Sequence, residues 1–439
     1  MQQAIRQKLE QDFKEKPVLV VGLGLQGGGV GLAQFLSRLG AYVTVTDLKS
    51  EEELSPSLEK LKDLKIEYRL GGHKVDDFLS ADFIFKGPSV PWDLPEIVKA
   101  QEKGILVDME TSYMASFLSK QIIGITGTRG KSTTAQLIFE ILKTAGKDVV
   151  LGGNVKDVST IQLLNKVTEN TIIVLELSSW QLSGFLRRKI SPHVSVFTSF
   201  YPDHLNYYKT MDEYFYDKSA IYKYQKTGDL LVAQQSLKDK IGDLRSHIQY
   251  YSVYLDKMAI KGDHNRENAA GALLVAKAFE IDDELIKKVL ADFQGIPYRQ
   301  ENIRTIGETT FINDTTSTTP VSTIKAVQTF DNNPTALILG GTTKNLPSRE
   351  LIDSLGSIVT IVLLKGSFTE EIEKSLREKY GEKVSGVYNT LKEAVDAAYT
   401  SVKTKKNSFV LLSPGAASFG LFKNEFHRGE EFNKIVRAL

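Results

Sequence analysis

A glycine-rich loop that carries a lysine and hydroxyl side chains lies between a predicted strand and a predicted helix. The loop, GITGTRGKSTT over residues 124–134, follows the apolar run QIIGIT and leads into the helical pattern STTAQLIFEILKTAG. Backbone N–H groups at the start of a helix attract phosphate oxygens, a lysine ammonium neutralises them, and a serine or threonine hydroxyl can bind Mg2+. We therefore predict a phosphate site in this loop. Its residues are Gly127, Gly130, Lys131, Ser132 and Thr133.

The match to the usual phosphate-loop rule is partial. The rule requires glycine where Ile125 stands, so the alternative is a glycine turn that only connects a strand to an amphipathic helix. Glu176, in VLELSS, lies at a predicted strand end where a carboxylate would support a metal ion, although it could be an ordinary acidic residue. Asp203 and His204, in PDH, add a further pair of oxygen and nitrogen ligands, while a lone histidine is more often structural.

A second glycine pattern lies in the first predicted βαβ unit. Gly22, Gly24 and Gly27 have the spacing G-x-G-x-x-G after the run PVLVVGLG, and Asp47 ends the next predicted strand. Such glycines allow a tight turn and a close approach of a pyrophosphate to a helix N-terminus, while the acid accepts a ribose hydroxyl. A pyrophosphate occurs in NAD and in UDP-sugars alike, so both ligands stay open here. The remaining alternative is that these glycines only close a strand-to-helix turn.

The composition indicates a globular protein of more than one domain. The 439 residues are 41% hydrophobic, 25% charged and 9% aromatic, and 55 basic residues oppose 54 acidic ones for a formal charge of +1. This balance provides no global field for nucleic acid or an anionic membrane. The lack of cysteine excludes disulfides and thiolate chemistry and agrees with a reducing cytoplasm. Because no apolar run approaches the roughly 18 residues of a membrane span, we expect a soluble, cytoplasmic protein.

Predicted strands alternate with helical patterns along the chain, which is typical of α/β domains. The strand-like runs are PVLVVGLG, AYVTVTDL, ADFIFKGPSV, ILVDM, QIIGITGT, TIIVLELSS, HVSVFTSF, TTFINDTT, TALILGG, IVTIVLLKG and SFVLLSPGAAS. The alternation starts afresh at QIIGITGT and again near QGIPYRQENI, and the length suits two or three domains. We therefore predict three α/β domains over residues 1–114, 115–300 and 301–439.

An ordered set of motifs extends over the whole chain. They are TGTRGKSTT, ELSSWQL, DHLNYY, GDHNREN, PYR, INDTTST, GGTTK and LLSPGAAS. This set resembles the Mur ligases of peptidoglycan synthesis, whose shifted glycine loop TGTxGKTT accounts for Ile125. The GLGxxG-type first domain and the C-terminal string of SPGAAS, FKN and RG resemble the D-glutamate-adding, MurD-type branch of that family.

The resemblance implies a fold, a reaction and its substrates. The fold would be α/β, with an N-terminal Rossmann-like domain for the UDP substrate, a central P-loop-type ATPase domain and a C-terminal Rossmann-like domain for the amino acid. The reaction would join D-glutamate to UDP-N-acetylmuramoyl-L-alanine through an acyl phosphate, with ATP and two Mg2+ ions. The partners would be these small molecules, without nucleic acid or a membrane, and the protein would be a monomer.

The resemblance also implies catalytic groups. Lys131 would hold the β- and γ-phosphates, and Ser132 with Glu176 would bind the first Mg2+. His204 would help to bind a second Mg2+ near the acyl group. Lys218, in YFYDKSAIY, would be carbamylated, because an added carboxylate supports a metal site whereas an ammonium opposes it. From its position alone, Lys218 would be a solvated helix lysine.

Further binding residues follow from matching positions. The ATP site would comprise Thr126, Gly127, Thr128, Arg129, Gly130, Lys131, Ser132, Thr133, Asn268, Arg299 and Asp314. The UDP-substrate site would comprise Gly24, Leu25, Gln26, Asp47, Lys49, Asn154, Ser178 and Gln181. The amino-acid site would comprise Thr318, Lys344 and Ser418. Because two of the ATP residues lie in the third domain, ATP would help to close that domain over the reaction and exclude water.

Some positions depart from the family pattern. Thr316 stands in NDTTSTT where the family usually has a lysine, which removes one cation. Glu425 lies where the family usually has an aromatic residue, and an acid there either repels a second carboxylate or faces solvent. KGPSV, Arg129 and residues 233–235 differ as well. These changes bear on the identity of the amino acid more than on the ligase chemistry.

Other functions stay open from the sequence. A Mur-type ligase could take a different amino acid, whereas the related folylpolyglutamate synthases lack the Gly22-to-Asp47 domain. An oxidoreductase using that domain for NAD would leave Lys131, Glu176 and His204 without a task. A non-catalytic nucleotide-binding homologue would have lost its acceptor site.

Overall fold

Backbone pairing groups the strands of the described chain into three sheets. The computed structural model describes residues 2–25, 27–155, 158–205, 207–260 and 262–439. These residues divide into two units. The first comprises Met1–Tyr201, Thr210–Ser252 and Glu267–Val289, and the second comprises Pro202–Lys209, Val253–Arg266 and Leu290–Leu439. The first two sheets therefore lie in the first unit, and the third sheet lies in the second.

The first sheet is entirely parallel. Its strands are β1 (Pro17–Val21), β2 (Tyr42–Asp47), β3 (Ile66–Leu70), β4 (Phe83–Lys86) and β5 (Leu106–Asp108). The accompanying helices are α1 (Gln3–Phe13), α2 (Gly28–Arg38), α3 (Glu51–Leu58), α4 (Val75–Leu79), α5 (Pro95–Glu102) and α6 (Glu110–Leu118). The strand order β3-β2-β1-β4-β5 reverses between β1 and β4, which is where α/β sheets open a ligand crevice at the carboxyl ends of their strands.

The second sheet is also parallel. Its strands are β6 (Ile122–Thr126), β7 (Val149–Gly153), β8 (Ile172–Glu176), β9 (Val194–Phe197), β10 (Leu230–Gln234) and β11 (His247–Tyr251). The helices that follow are α7 (Lys131–Thr144), α8 (Ser179–Arg188), α9 (Met211–Ser219), α10 (Lys238–Ile241), α11 (Asp263–Ala278) and α12 (Asp283–Asp292). The order β11-β10-β9-β6-β8-β7 places β6 between β9 and β8. β6 is fully buried along its length, as expected for a central parallel strand.

The third sheet has one antiparallel edge. Its strands are β12 (Glu301–Ile306), β13 (Thr309–Asn313), β14 (Thr335–Gly340), β15 (Thr360–Leu364), β16 (Val384–Tyr388) and β17 (Ser408–Leu412). The helices are α13 (Pro320–Thr329), α14 (Arg349–Ser354), α15 (Ser367–Tyr380), α16 (Leu391–Val402) and α17 (Glu425–Ala438). In the order β12-β13-β17-β14-β15-β16, only the β12–β13 pair of this described sheet is antiparallel.

These sheets confirm the predicted α/β class with three sheet-based domains. The domain limits at residues 114 and 300 stay predictions. Within the described ranges, no helix combines the length and the apolar character needed to cross a membrane.

A buried carboxylate connects the first sheet's helices to the second-sheet region of the first unit. Glu110, at the start of α6, accepts hydrogen bonds at Oε1 from the Ser159 hydroxyl at 2.7 Å and from the Ile161 N–H at 2.8 Å. Burial raises the pKa of Glu110 from 4.5 to about 7 despite these hydrogen bonds. Folding therefore favours the protonated form of this carboxyl group.

Replacing Glu110 with glutamine should remove part of the pH dependence of stability. The pKa of Glu110 is raised in the folded state. The contribution of its protonated carboxyl group to folding stability is therefore complete below pH 4.5 and is lost as the pH rises through about 7. The ionised, buried form then costs about 3 kcal/mol. The thermal midpoint of Glu110→Gln, relative to wild type, should be higher at about pH 8 than at about pH 5.

The control is Glu102→Gln, which makes the same change at an exposed position of α5. Its midpoint relative to wild type should be the same at both pH values. A Glu110→Gln difference that does not change with pH would contradict the assignment of a buried, titrating carboxyl group.

Candidate active site

The glycine loop after β6 presents the open end of a helix. Helix α7 begins at Lys131, and its N-cap residue Gly130 has a φ of 86° and offers no side-chain cap. The first N–H groups of such a helix have no intrahelical partner and favour an anion. An added Cβ at Gly130 would lie 2.3 Å from Oδ1 of Asn268, so only glycine fits both the turn and this close approach.

The segment after β9 holds the loop in place. The Thr198 hydroxyl donates to the Thr126 carbonyl at 3.1 Å, and the Ser199 hydroxyl donates to the Arg129 carbonyl at 2.9 Å. In return, the Thr128 N–H donates to the Ser199 carbonyl at 2.8 Å. Sequence analysis missed Thr198 and Ser199 as loop supports, although their place at the end of the strand beside β6 was the available signal.

Two ammonium groups converge on one carbonyl oxygen of the loop. Lys131 Nζ donates to the carbonyls of Gly127 at 3.1 Å and Thr128 at 3.2 Å. Lys218 Nζ, on α9, donates to the same Gly127 carbonyl at 2.9 Å, and this side chain is only 1% exposed. The structure thus brings Lys131 and Lys218 together at the phosphate loop, and it corrects the alternative of a solvated helix lysine at position 218.

Glu176 occupies the end of the strand next to the loop. It pairs with Ile125 of β6, and its buried carboxylate accepts a hydrogen bond from Asn154 Nδ2 at 3.1 Å. The structure therefore joins Glu176 and Asn154, which sequence analysis had assigned to the metal and to the UDP substrate. Ser132 lies half-buried on the first turn of α7.

Among the described residues, no group of three or more histidine, aspartate and glutamate side chains forms a ready metal cage. The predicted metal ligands instead combine one carboxylate with a hydroxyl and a modified lysine. His204 belongs to the second unit, where its Nε2 lies 3.8 Å from Oδ2 of Asp203. Its backbone φ of 55° is unusual for a residue other than glycine. The full ligand set stays a prediction.

Ser178 and Gln181 form a capping box at the start of α8. The Gln181 N–H donates to Ser178 Oγ at 3.2 Å, and the Ser178 N–H donates to Gln181 Oε1 at 3.0 Å. Gln181 Nε2 also donates to Thr111 Oγ1 at 3.3 Å, and the side chain is buried. Both predicted substrate residues therefore have a structural task. Any contact of theirs with a substrate stays a prediction.

Asp47 organises the glycine loop of the first sheet. Its Oδ2 accepts the N–H groups of Leu23 at 2.8 Å and Gly24 at 3.1 Å. Its Oδ1 accepts the N–H of Lys49 at 2.9 Å. The structure thus assembles Gly24, Asp47 and Lys49 at the carboxyl ends of β1 and β2, with Leu25 exposed beside them. The predicted site residue Gln26 lies outside the described residues.

The remaining predicted ATP residues lie in both units. In the first unit, Asn268 packs against the phosphate loop, where its Oδ1 accepts a hydrogen bond from the Thr134 hydroxyl at 3.4 Å. In the second unit, Asp314 is buried at the end of β13 and accepts hydrogen bonds from Ser413 Oγ at 2.8 Å and from the Gln300 N–H at 3.2 Å. Burial raises the pKa of Asp314 to about 6, although the charge of nearby Arg299 lowers it.

Three loops at the carboxyl ends of neighbouring strands carry the predicted amino-acid residues. Lys344 Nζ, after β14, donates to the Thr318 hydroxyl at 3.1 Å. An antiparallel bridge between Thr342 and Ala417 joins the Lys344 loop to the Ser418 loop after β17. The Ser418 side chain is 3% exposed, and its hydroxyl has no hydrogen-bond partner among the described residues. An unsatisfied buried hydroxyl beside an ammonium suits a carboxylate ligand.

Thr316 and Glu425, the two positions of the second unit that differ from the family pattern, both contact or influence neighbouring residues. The Thr316 hydroxyl donates to the Tyr298 carbonyl at 2.9 Å, so this residue holds the loop and supplies no cation. Glu425 begins α17, half-buried, and its charge raises the pKa of the buried Arg428 against the lowering effect of burial. The structure therefore gives Glu425 a third role, as a counter-charge, beside the two that sequence analysis weighed. Sequence analysis did not single out Arg428, although the RG string was visible.

The loop between β6 and α7, on a parallel sheet, is typical of a nucleotide-binding α/β protein of the P-loop class. Residues 16–108 match the N-terminal domain of MurD-like Mur ligases, and residues 125–254 match the Mur ligase middle domain. The chain belongs to the Mur ligase family, in its MurD-like branch.

Similar proteins support this membership over the full length. A UDP-N-acetylmuramoylalanine--D-glutamate ligase from Roseiflexus sp. (strain RS-1) is 34% identical over 463 residues, which covers 96% of this chain and 98% of the relative. A protein of the same name from Borreliella afzelii (strain PKo) is 34% identical over 461 residues, covering 98% and 99%. The solved structure of UDP-N-acetylmuramate-alanine ligase MurC from Thermotoga maritima has the same fold, with a TM-score of 0.63, 18% identity and coverage of 97% and 100%.

Proposed function

We propose that this chain is an ATP-dependent ligase that joins D-glutamate to UDP-N-acetylmuramoyl-L-alanine in peptidoglycan synthesis. The observation that carries the proposal is the phosphate loop, where the uncapped start of α7 and Lys131 lie beside Glu176 of the neighbouring strand. The names of the full-length relatives supply the substrates. We propose further that it acts as a cytoplasmic monomer on small molecules alone, without nucleic acid or a membrane, which its charge of +1 supports.

The proposed chemistry has two balanced steps. First, a carboxylate oxygen of UDP-N-acetylmuramoyl-L-alanine attacks the γ-phosphorus of ATP, and the bond between that phosphorus and the β–γ bridging oxygen breaks to release ADP. Next, the amine of D-glutamate attacks the acyl carbon, phosphate leaves with the bonding pair, and the nitrogen loses a proton. Both steps bring like charges together, so positioning and charge neutralisation dominate catalysis.

Lys131 is the main neutralising group of the proposal. Its ammonium already lies at the loop carbonyls of Gly127 and Thr128, within the turn that a phosphate chain would occupy. The N–H groups at the start of α7 would hold the same phosphate oxygens. The other ATP contacts that we propose are Thr126, Arg129, Gly130, Ser132, Thr133, Asn268, Arg299 and Asp314.

Mg2+ fits the donors around the loop. Glu176 offers a buried carboxylate that accepts one hydrogen bond from Asn154, and Ser132 offers a hydroxyl on the first turn of α7. Oxygen donors of this kind, together with phosphate oxygens and water, suit Mg2+. We assign these two residues to a first ion. His204 would help to bind a second ion, and a carboxylate on modified Lys218 would support the metal site. When bound, the ions would neutralise negative charge on the phosphates and the attacking carboxylate.

We propose that Lys218 reacts with CO2 to give a carbamate. The ammonium would first lose one proton, and the neutral amine would then form an N–C bond with CO2 and release a second proton, so that the side chain changes from a cation to an anion. Burial supports this change, because two ammonium groups that share the Gly127 carbonyl in a buried site repel each other. A carbamate would instead attract Lys131 and offer oxygen donors to Mg2+.

The UDP moiety of the substrate would lie at the switch point of the first sheet. The glycine loop held by Asp47 presents its backbone at the carboxyl ends of β1 and β2. A pyrophosphate is suited to such a loop at a helix N-terminus. We propose Gly24, Leu25, Gln26, Asp47 and Lys49 for the uridine diphosphate region, and Asn154, Ser178 and Gln181 for the muramoyl part.

Replacing Asp47 with asparagine should weaken binding of the UDP substrate. The amide would present an N–H group toward one of the three N–H donors that the carboxylate now accepts, so the loop would lose its shape. We expect the KM for the UDP substrate to rise about tenfold, while the KM for ATP stays within about twofold. Asp63→Asn, at an exposed position after α3, should change neither constant. An unchanged KM for the UDP substrate in Asp47→Asn would contradict this role.

The acceptor would bind on the third sheet. The Lys344 ammonium, the Thr318 hydroxyl and the unsatisfied Ser418 hydroxyl form a site for a carboxylate. Since Thr316 holds Tyr298 rather than supplying a cation, the second carboxylate of glutamate has one positive charge fewer than the family pattern provides. This observation favours a different acceptor amino acid as the second candidate function.

Trapping of the acyl phosphate tests the proposed reaction. The enzyme, Mg2+, ATP and UDP-N-acetylmuramoyl-L-alanine would be incubated without an amino acid and then treated with borohydride. An acyl phosphate is reduced to the alcohol, so mass spectrometry should detect the UDP-linked alcohol only when ATP and active enzyme are present. Its absence, in samples that form product once D-glutamate is added, would contradict the acyl-phosphate route.

A further inference from the structure

A fully buried arginine lies beneath the proposed acceptor site. Arg428, in the first turns of α17, is 0% exposed. Its Nε donates to the Thr315 hydroxyl at 2.9 Å, and Nη2 donates to the Thr315 carbonyl at 2.9 Å. Nη2 also donates to the Ala416 carbonyl at 3.3 Å, and Nη1 donates to the Ala417 carbonyl at 3.5 Å. All four acceptors are uncharged.

These hydrogen bonds reach two of the three loops that carry the acceptor residues, and the third loop lies close by. Thr315 belongs to the loop that continues to Thr318, and Ala417 directly precedes Ser418. The third loop passes over the same guanidinium, because a Cβ built on Gly341 would lie 3.4 Å from Nη1. That loop continues to Lys344. One side chain therefore bonds two of the loops and lies close to the third.

The start of α17 packs closely against the loop that contains Thr315. A Cβ added at Gly429 would lie 2.6 Å from Cγ2 of Thr315, so glycine at this position lets the helix approach the first loop. The Thr315 hydroxyl, which accepts from Arg428, donates in turn to the Glu425 carbonyl at 2.9 Å. Glu425 also supplies the negative charge that compensates the buried guanidinium. The first turns of α17 thus hold both the arginine and its counter-charge.

A planar guanidinium suits this task better than other side chains. It offers five N–H donors in fixed directions, so it can join separate loops with defined geometry. A lysine offers one flexible ammonium and cannot reach four acceptors in these directions. Burying a charge against neutral acceptors costs free energy. A buried charged group can be kept in spite of this cost where it fixes one arrangement of the backbone.

We propose that Arg428 is the positioning residue of the acceptor site, which sets the loops of Thr318, Lys344 and Ser418 in the geometry that binds the incoming amino acid. The proposal rests on the proposed ligase function. We assign Arg428 no contact with the substrates. It acts through the three loops, so its loss should affect the acceptor more than ATP or the UDP substrate.

The test compares Arg428→Met, Arg428→Lys and Arg437→Met. Arg437 lies exposed near the end of the same helix, so it controls for removal of an arginine from α17. In Arg428→Met the acceptor KM should rise about tenfold or more, with the KM values for ATP and the UDP substrate within about twofold of wild type. Arg428→Lys should fall between Arg428→Met and wild type, and Arg437→Met should match wild type.

Amide hydrogen exchange without substrates gives an independent readout. Exchange should become faster in residues 314–319, 341–345 and 413–418 of Arg428→Met, and it should stay unchanged there in Arg437→Met. If Arg428→Met does not fold, Thr315→Val is the deciding variant, because it removes the hydroxyl through which the first loop bonds Arg428 and the Glu425 carbonyl of α17. That variant should raise the acceptor KM about threefold while the other two constants stay within about twofold.

The proposal is overturned if the acceptor KM is unchanged in the variant that folds, or if all three KM values rise together. Either result would make Arg428 an ordinary structural residue. Failure of the proposed function gives a different result, because the wild-type protein itself would then form no product with ATP, the UDP substrate and any amino acid. The hydrogen-exchange comparison would still report whether Arg428 orders the loops.

Discussion

Lys131→Ala is expected to abolish turnover, with a loss of about 1,000-fold or more in kcat. The alanine removes the ammonium that lies at the Gly127 and Thr128 carbonyls and that would neutralise the β- and γ-phosphates. This charge matters most as the attacking carboxylate approaches the phosphate, so both kcat and kcat/KM should fall. The measurement is phosphate release with saturating ATP, UDP substrate and amino acid.

Lys143→Ala is the matched control for this prediction. Lys143 lies in the last turn of the same helix and is exposed, so its loss removes a charge from α7 without reaching the loop. It should retain wild-type turnover and thermal stability. Wild-type turnover in Lys131→Ala would contradict the assignment of the phosphate loop itself.

Lys218→Ala is the second prediction with a large effect. We expect a loss of about 100-fold or more in kcat, because the proposed carbamate would be missing from the metal site. The truncation also leaves room at a buried position beside the Gly127 carbonyl. Added formate, acetate or propionate should restore part of the activity by placing a carboxylate in that room, and the measurement is phosphate release against carboxylate concentration.

Lys223→Ala provides the comparison for chemical rescue. This exposed lysine follows the same helix and stacks on Tyr216, with its Nζ 3.9 Å from the ring centroid. Its variant should keep wild-type activity and show no response to carboxylates. Full activity of Lys218→Ala would contradict the metal-support role, and a loss that no carboxylate restores would contradict the carbamate.

The central strands were predictable because their residues are apolar on both faces. The runs that became β1, β6, β8 and β14 are buried along nearly their whole length. The strands that were not predicted include β3, β7, β11, β12 and β16, which are five of the six edge strands of the described sheets. The sixth edge strand, β5, was predicted, and the interior strand β10 was not. An edge strand is less buried than a central one, so its sequence needs fewer apolar residues. The strand β3, with the sequence IEYRL, is only partly buried and lacks a strong apolar pattern.

The site was predictable where one segment carries its chemistry. The stretch over residues 124–134 contains glycines, lysine and hydroxyls in one loop, so its position at the start of a helix followed from the sequence. The motif order over the whole chain predicted the ligase family that the relatives confirm, and it leaves the oxidoreductase hypothesis without support.

Contacts between distant segments could not be predicted. Arg428 bonds Thr315 from 113 positions away, and an arginine is usually a surface residue, so nothing local indicates its burial. Ser178 and Gln181 show the opposite case. Their S-x-x-Q spacing is a local capping signal, which the structure bears out, whereas sequence analysis assigned them only to substrate binding.

The most direct test of the proposed function is phosphate release from ATP and Mg2+ with UDP-N-acetylmuramoyl-L-alanine, across a panel of single amino acids that includes both glutamate enantiomers. We expect release that requires D-glutamate, with L-glutamate and the other amino acids at background. Release with a different amino acid alone would contradict the proposed acceptor and make Thr316 and Glu425 the residues to examine for a changed specificity. No release with any amino acid would contradict the ligase function itself.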